Sequence, residues 1–227
     1  MDARLELHRA VQPAAAVGRA LLPPQPDSGH ESFTWSDGRL VQGVVDAPRP
    51  FRAGLRFADL SLLLLGSDET IIDELPLDGR TLNDGYTFYE QRCSELLGRD
   101  VRFERIGEPH TFQANPPELA KFARLYAEAD ALLREVHLPV RCWPHHFDIA
   151  TLIPLGGERT LGIGMSPGDT THGEPYYYVT PWPYPAVDTL PPLAVGAWNT
   201  DGWVGAVLPA SAPREQLACF VKETLRA

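Results

Sequence analysis

The sequence predicts an α+β fold, with antiparallel sheets and the helices segregated to one side. It is read as a single domain over 1–227, with a two-lobed division at 1–98 and 99–227 left open. Two observations carry the prediction. Strand-like runs are separated by short polar or Gly/Pro turns of hairpin length, which join antiparallel neighbours. Helical periodicity comes before, between and after those runs, whereas a doubly wound parallel sheet would alternate one helix with each strand. At 227 residues, 44% apolar and 22% charged, the chain can bury a substantial core and has an ordinary globular composition.

In order, Arg4 to Leu22 places Leu5, His8, Val11, Ala15 and Leu22 near one helical face, with Pro13 positioned to bend or delay it. PPQPDSGHESF then breaks regular structure. From Phe33 the pattern turns to β. Trp35-Ser-Asp-Gly-Arg reads as a turn, and Phe51, Leu55 and Phe57 alternate with Arg52, Gly54 and Arg56. LSLLLL reads as a strand buried on both sides, with TIIDELPL its neighbour across a polar turn. Thr81 can cap a helix whose third position is Asp84, whose stripe is Leu82, Tyr86, Tyr89 and Cys93, and whose stop is Gly98. Asn115, Pro116 and Glu118 open a second helix with Leu119, Phe122, Tyr126, Leu132 and Leu133 inward.

A second β region follows, with strands expected at 139–143, 146–154, 159–165, 175–182, 193–198 and 203–208. Gly156-Gly157 and Asn199-Thr-Asp-Gly202 supply two of its turns. A last helix from Pro213 presents Leu217, Phe220, Val221 and Leu225 to the core. Strands followed by a helix in each half suggest a duplication, but no residue-level repeat supports one.

Charge and patterning exclude several functions. With a net charge of -10 and scattered Lys and Arg, the chain has no basic footprint for a nucleic acid or an anionic membrane. The longest apolar run, Leu60 to Leu65 broken by Ser61, is too short to span a bilayer, and the N-terminal segment has no secretory pattern. Cys93, Cys142 and Cys219 are widely spaced and odd in number, as expected of buried, reduced thiols in a cytoplasmic protein.

The chemistry concentrates in Arg141 to Pro185, which holds His145, His146 and His172. On strand alternation, His146, Asp148, Ala150 and Leu152 share one face, and Gly162, Gly164 and Ser166 share one face of the next strand. If these faces adjoin, missing side-chain volume lies beside an imidazole and a carboxylate, to be filled by a large residue or left as a pocket. His146, Asp148 and Glu174 are then the candidate catalytic residues, with Trp143, His145, Tyr176, Tyr178 and Trp182 as candidate ligand-binding residues. A divalent ion such as zinc, iron or manganese is one reading. Its ligands would be His145 or His146, Asp148, His172 and Glu174, since the 146/148 and 172/174 spacings project two ligands from one strand face. In the alternative, Asp148 accepts a bond from a neighbouring His or backbone amide and the histidines are ordinary core or turn residues.

Gly164-Met-Ser166-Pro-Gly168 matches a nucleophile elbow in spelling only. Pro167 has no N–H to offer an oxyanion, no helix pattern follows, and no histidine occurs after His172. Cys142, between Val140 and Trp143, reads as an inert buried thiol, and His30 as an exposed loop histidine.

Three strings together, PPQPDSGH, WPHHFDIATLI and GIGMSPGD with EPYYYVTPWPYP, resemble a bacterial protein family of unknown function, along with LRFADLSLLLL and ELPLDGRTL. The resemblance implies a bacterial, cytoplasmic protein in which Trp143, His145, His146, Phe147, Asp148, Glu174 and Tyr176 belong to the shared pattern, and it carries over no catalytic residue.

The expectation is a small polar ligand, neutral or cationic, held by a His/carboxylate pocket, with hydrolysis or isomerisation as the reaction if the protein is an enzyme. The alternative is a non-enzymatic module presenting the Trp- and Pro-rich segment 175–192 to a protein partner or to its own copy.

Overall fold

The two hairpin-rich stretches fold into two separate antiparallel sheets, and with four helices among the described residues the fold is α+β as expected. The computed structural model describes residues 2–25 and 27–224, apart from the side chains of Ala218 and residues 221–224. Leu225 and the Val221 side chain, expected in the core, lie outside the described residues. The chain divides into two units, Met1–Ala127 with Arg141–His145, and Glu128–Val140 with His146–Ala227. The division expected at 98/99 thus falls later, because residues 99–115 are strapped to the helix that precedes them.

In the first unit, α1 (Ala3–Leu21) begins at Asp2, whose carboxylate accepts from the Arg4 amide at 3.0 Å. Its buried surface centres on Leu7, Ala10, Val11, Ala14 and Val17, whereas Leu5 is 39% exposed, a correction to the expected stripe. The run of small residues from Ala14 to Gly18 is buried around most of the helix, so the apolar face is wider than a Leu/Val pattern shows. Strands β1 (Thr34–Ser36), β2 (Arg39–Val41), β3 (Phe51–Arg56), β4 (Ser61–Gly66) and β5 (Ile71–Pro76) pair in chain order, with the expected turn at Asp37–Gly38. The apolar run makes β4 buried from Ser61 to Leu65.

Helix α2 (Leu82–Leu97) starts at the predicted Thr81 cap, which forms a capping box with Asp84, and ends at Gly98 in the left-handed region. Its Tyr89 hydroxyl lies 2.9 Å from the carbonyls of both Gly54 and Leu63, which fixes α2 to the sheet, and burial raises that hydroxyl far above the ordinary tyrosine value. Buried Glu90 receives Arg105 Nη1 at 2.7 Å, Arg105 Nη2 at 3.0 Å and the Phe103 amide at 3.0 Å, while the Tyr86 hydroxyl receives the Ile106 amide at 2.8 Å. These bonds strap the 99–115 connection to α2.

Helix α3 (Pro116–Arg134) follows, and Tyr126 closes an aromatic cluster with Trp35 and Phe57 at centroid distances of 5.8 and 5.1 Å. The short strand β6 (Arg141–Trp143) bonds to Phe33, whose amide and carbonyl exchange 2.9 and 2.8 Å hydrogen bonds with Cys142.

The second unit is built on β7 (Asp148–Gly156), β8 (Arg159–Ser166), β9 (Tyr176–Trp182), β10 (Ala197–Asn199) and β11 (Gly205–Pro209), ordered β10-β11-β9-β8-β7. Ile149, Met165, Tyr177 and Leu208 lie side by side across it, as do Thr151, Ile163, Val179 and Ala206; all are buried, and α4 (Arg214–Thr224) packs on β9 and β11. Several strands start later than expected. The one expected at 193–198 begins only at Ala197, after a bend through 194–196 in which Gly196 takes φ +85°. Phe147 takes φ +57°, which places both histidines in a turn before β7.

Among the described residues no helix is long and apolar enough to cross a membrane. Cys93 and Cys142 are buried, with the Cys93 thiol pushed up to about 12 by burial, while Cys219 is half-buried rather than fully enclosed.

Candidate functional site

Alternation along β7, β8 and β9 gives the second sheet a face opposite its core. Ala150, Gly164 and Tyr178 are in register there, as are Leu152, Gly162 and Thr180. The bare glycine surface does adjoin Asp148, and the Tyr178 ring lies over part of it. A Cβ on Gly164 would stand 2.5 Å from the Tyr178 hydroxyl oxygen and 2.7 Å from Ala150 Cβ. The glycine therefore lets the tyrosine lie flat enough for its hydroxyl to reach across the sheet and donate to Asp148 Oδ2.

Beside this pair opens a cavity of about 470 Å³. His146, Asp148, Tyr176 and Tyr178 line it, as do Ser166 and Thr180 from the strands, Thr170 and Thr171 from the β8–β9 loop, and Tyr184 and Trp203 from farther along the chain. Asp169 completes the lining and also organises that loop. Its Oδ1 accepts from the amides of Thr171 and His172, both at 2.7 Å, and its Oδ2 accepts from the Tyr176 hydroxyl at 2.6 Å. The same turn needs Gly168, whose φ of +102° and 2.9 Å approach of a would-be Cβ to the Gly173 carbonyl oxygen exclude a side chain.

The electrostatics follow from these partners. Burial disfavours the Asp169 anion, but the Tyr176 hydroxyl and the two amides outweigh it and hold the carboxyl below the ordinary range. Burial first, then the Asp169 carboxylate, raise the Tyr176 hydroxyl well above the usual value, so it remains a proton donor at neutral pH. No Lys or Arg occurs among the described lining residues.

Of the expected site residues, His146, Asp148, Tyr176 and Tyr178 share this cavity. Trp143 and His145 belong to the first unit. Trp143 donates its indole N–H to the Asp27 carbonyl at 3.1 Å, and Arg141 pairs with the Asp27 carboxylate at 2.9 Å. Asp27 and the Arg141–Trp143 strand thus meet each other, Trp143 is not among the described lining residues of the cavity, and the Pro144 carbonyl is held by Gln12 Nε2 at 2.9 Å. Glu174, expected to be catalytic, is exposed and lines a separate, largely apolar hollow of about 400 Å³ with His172. Trp182 is 55% exposed and packs edge-on against Tyr184 at 5.2 Å.

The five-residue metal set is corrected outright: among the described residues no three His, Cys, Asp or Glu side chains are placed to hold one ion. The spacing argument failed because it needs both members of each pair on a strand. His146 precedes β7 and 172–174 precede β9, so neither pair projects from one face.

Sequence reasoning did not single out Asp169, Thr170, Thr171, Tyr184 or Trp203 as site residues. The Asp-x-Thr-His spelling after a Pro-Gly turn could have flagged Asp169 as a loop organiser, whereas nothing in the spacing links Trp203 to Asp148. Ser166 does lie at the end of β8, buried and followed by no helix, as the rejection of an elbow requires. The chain matches no protein-family model, no curated protein and no solved structure.

Proposed function

We propose that the protein binds a small polar molecule, neutral or cationic, in the second unit's cavity. The observation that carries this reading is the conjunction of a cavity of about 470 Å³ with two carboxylates and no Lys or Arg among its described lining residues. Pockets for small molecules combine aromatic walls with a few convergent polar groups, which is the composition here. In the catalytic form of the reading, Asp148 and His146 exchange a proton with the bound molecule in a hydrolysis or isomerisation. A screen of cationic, neutral and anionic fragments by ligand-observed NMR tests the reading. Hits lost in Asp148→Ala and retained in Trp182→Ala support it; a screen without hits, or hits indifferent to Asp148, refutes it.

One observation favours a second reading, a contact surface for another copy of the chain. Trp182, Tyr184 and Val187 are 55%, 45% and 56% exposed within one proline-rich stretch. Sedimentation of wild type against Trp182→Ala decides it, since a self-association surface predicts a smaller species in the variant.

A further inference from the structure

We infer that the second unit's cavity selects an organic ammonium, with the cationic head against Asp148 and the apolar part against Tyr178 and Trp203. This rests on the binding-site reading above and narrows it to one ligand class.

The argument is an inventory of donors and acceptors. Three hydroxyl protons of the wall are committed to protein acceptors: Tyr178 donates to Asp148, Tyr176 to Asp169 at 2.6 Å, and Thr180 to the Val204 carbonyl at 2.9 Å. Ser166 Oγ already accepts from the Gly168 amide at 3.2 Å. Among the described residues Asp148 takes one hydrogen bond, from Tyr178, although a carboxylate can accept about four. Asp148 therefore keeps acceptor capacity facing the cavity, and a ligand that brings N–H groups can use it.

Charge points the same way. Tyrosine hydroxyls and backbone amides solvate the two carboxylates, His172 Nδ1 stands 3.9 Å from Asp169, and no Lys or Arg is among the described lining residues, so the site favours a cation over an anion. The rings add to this. Tyr178 and Trp203 are 6.1 Å apart at 75°, and Tyr176 and Tyr178 are 6.4 Å apart at 56°. They give the wall apolar surface against which the ligand's hydrocarbon part can pack.

The test compares four probes by isothermal titration at low ionic strength: benzylammonium, benzyl alcohol, benzoate and glucose. The first three share a ring and differ in the charge of the head. The inference predicts that benzylammonium binds roughly tenfold or more tighter than benzyl alcohol, from the charge-assisted bond to Asp148, and that benzoate does not bind. Asp148→Asn should remove that advantage, so that benzylammonium binds no tighter than benzyl alcohol in the variant. Thr171→Lys places a cation on an exposed rim position, where folding is not at stake, and should abolish benzylammonium binding. Thermal unfolding of each variant separates loss of site from loss of fold. Benzyl alcohol or glucose binding as tightly as benzylammonium overturns the ammonium assignment and leaves the binding-site reading intact. Failure of all four probes also overturns the assignment, and the fragment screen then judges the broader reading independently. Benzylammonium affinity untouched by both variants overturns it as well.

Discussion

Glu90 in the first unit and Asp148 in the second show two ways of placing a carboxylate inside a protein. Glu90 is 2% exposed and is met by the Arg105 guanidinium at 2.7 and 3.0 Å, by Arg102 at 3.4 Å and by an amide. Its charge is cancelled, and its work is to hold the 99–115 connection against α2. Asp148 is half-buried and receives a tyrosine hydroxyl, which orients it and leaves its charge in place. Neutral donors fix geometry; cationic donors also remove the field. A carboxylate of the first kind is a clamp, and one of the second kind remains available to a ligand.

The largest effect expected from breaking this contrast is on stability. Glu90→Gln removes the charge-assisted bonds from Arg105, itself 41% exposed, and should cost up to about 3 kcal/mol in chemical denaturation. The Arg105 hydrogen bond, opposed by desolvation, holds the Glu90 carboxyl below its ordinary value. A group depressed on folding stabilises above its unfolded pKa and loses that contribution as pH falls through the folded one. The gap between wild type and Glu90→Gln should therefore close below about pH 4, and a gap independent of pH would contradict the clamp.

Gly164→Ala comes next. The added methyl collides with Tyr178, so a loss of about 2 kcal/mol from overpacking is expected, with the cavity's affinity for benzylammonium falling alongside. An unchanged melting point would mean that Tyr178 has room to move and does not hold Asp148.

Asp169→Asn keeps an acceptor for the two loop amides and loses the charge facing Tyr176. About 1 kcal/mol is expected at neutral pH, vanishing in acid as the depressed Asp169 carboxyl of the wild type is protonated. The smallest effect is that of Trp182→Ala, within about 0.5 kcal/mol, because the indole is already 55% exposed and outside the cavity lining.

The same contrast explains what could be read from the letters. Local chemistry was legible: the Thr81 cap, the Gly98 stop, the Asp37–Gly38 turn and the buried run in β4 each follow from neighbours in sequence. The first helix was placed correctly and Val11 and Ala15 are buried as expected, but Leu5 is exposed and the width of the buried face was not foreseen, because alanines carry no size cue. At the site, alternation put Asp148 beside Gly164 and brought Tyr178 toward them, since sheet register propagates over two strands. It failed for Trp143, Glu174 and Trp182. The 144–147 turn and the 167–175 loop break alternation, and Trp143 is held by Asp27, more than a hundred residues earlier. Trp203 reaches Tyr178 only through the pairing of β11 with β9, a contact with no local signature.

The protein carries five tryptophans, of which Trp203 alone is among the described residues lining the cavity. Their indole N–H signals are five separate reporters in one spectrum. Titrating ¹⁵N-labelled protein with benzylammonium should shift the Trp203 signal saturably and leave those of Trp35, Trp143, Trp182 and Trp198 in place. A saturable shift at Trp182 or Trp143 with Trp203 unmoved would contradict the account.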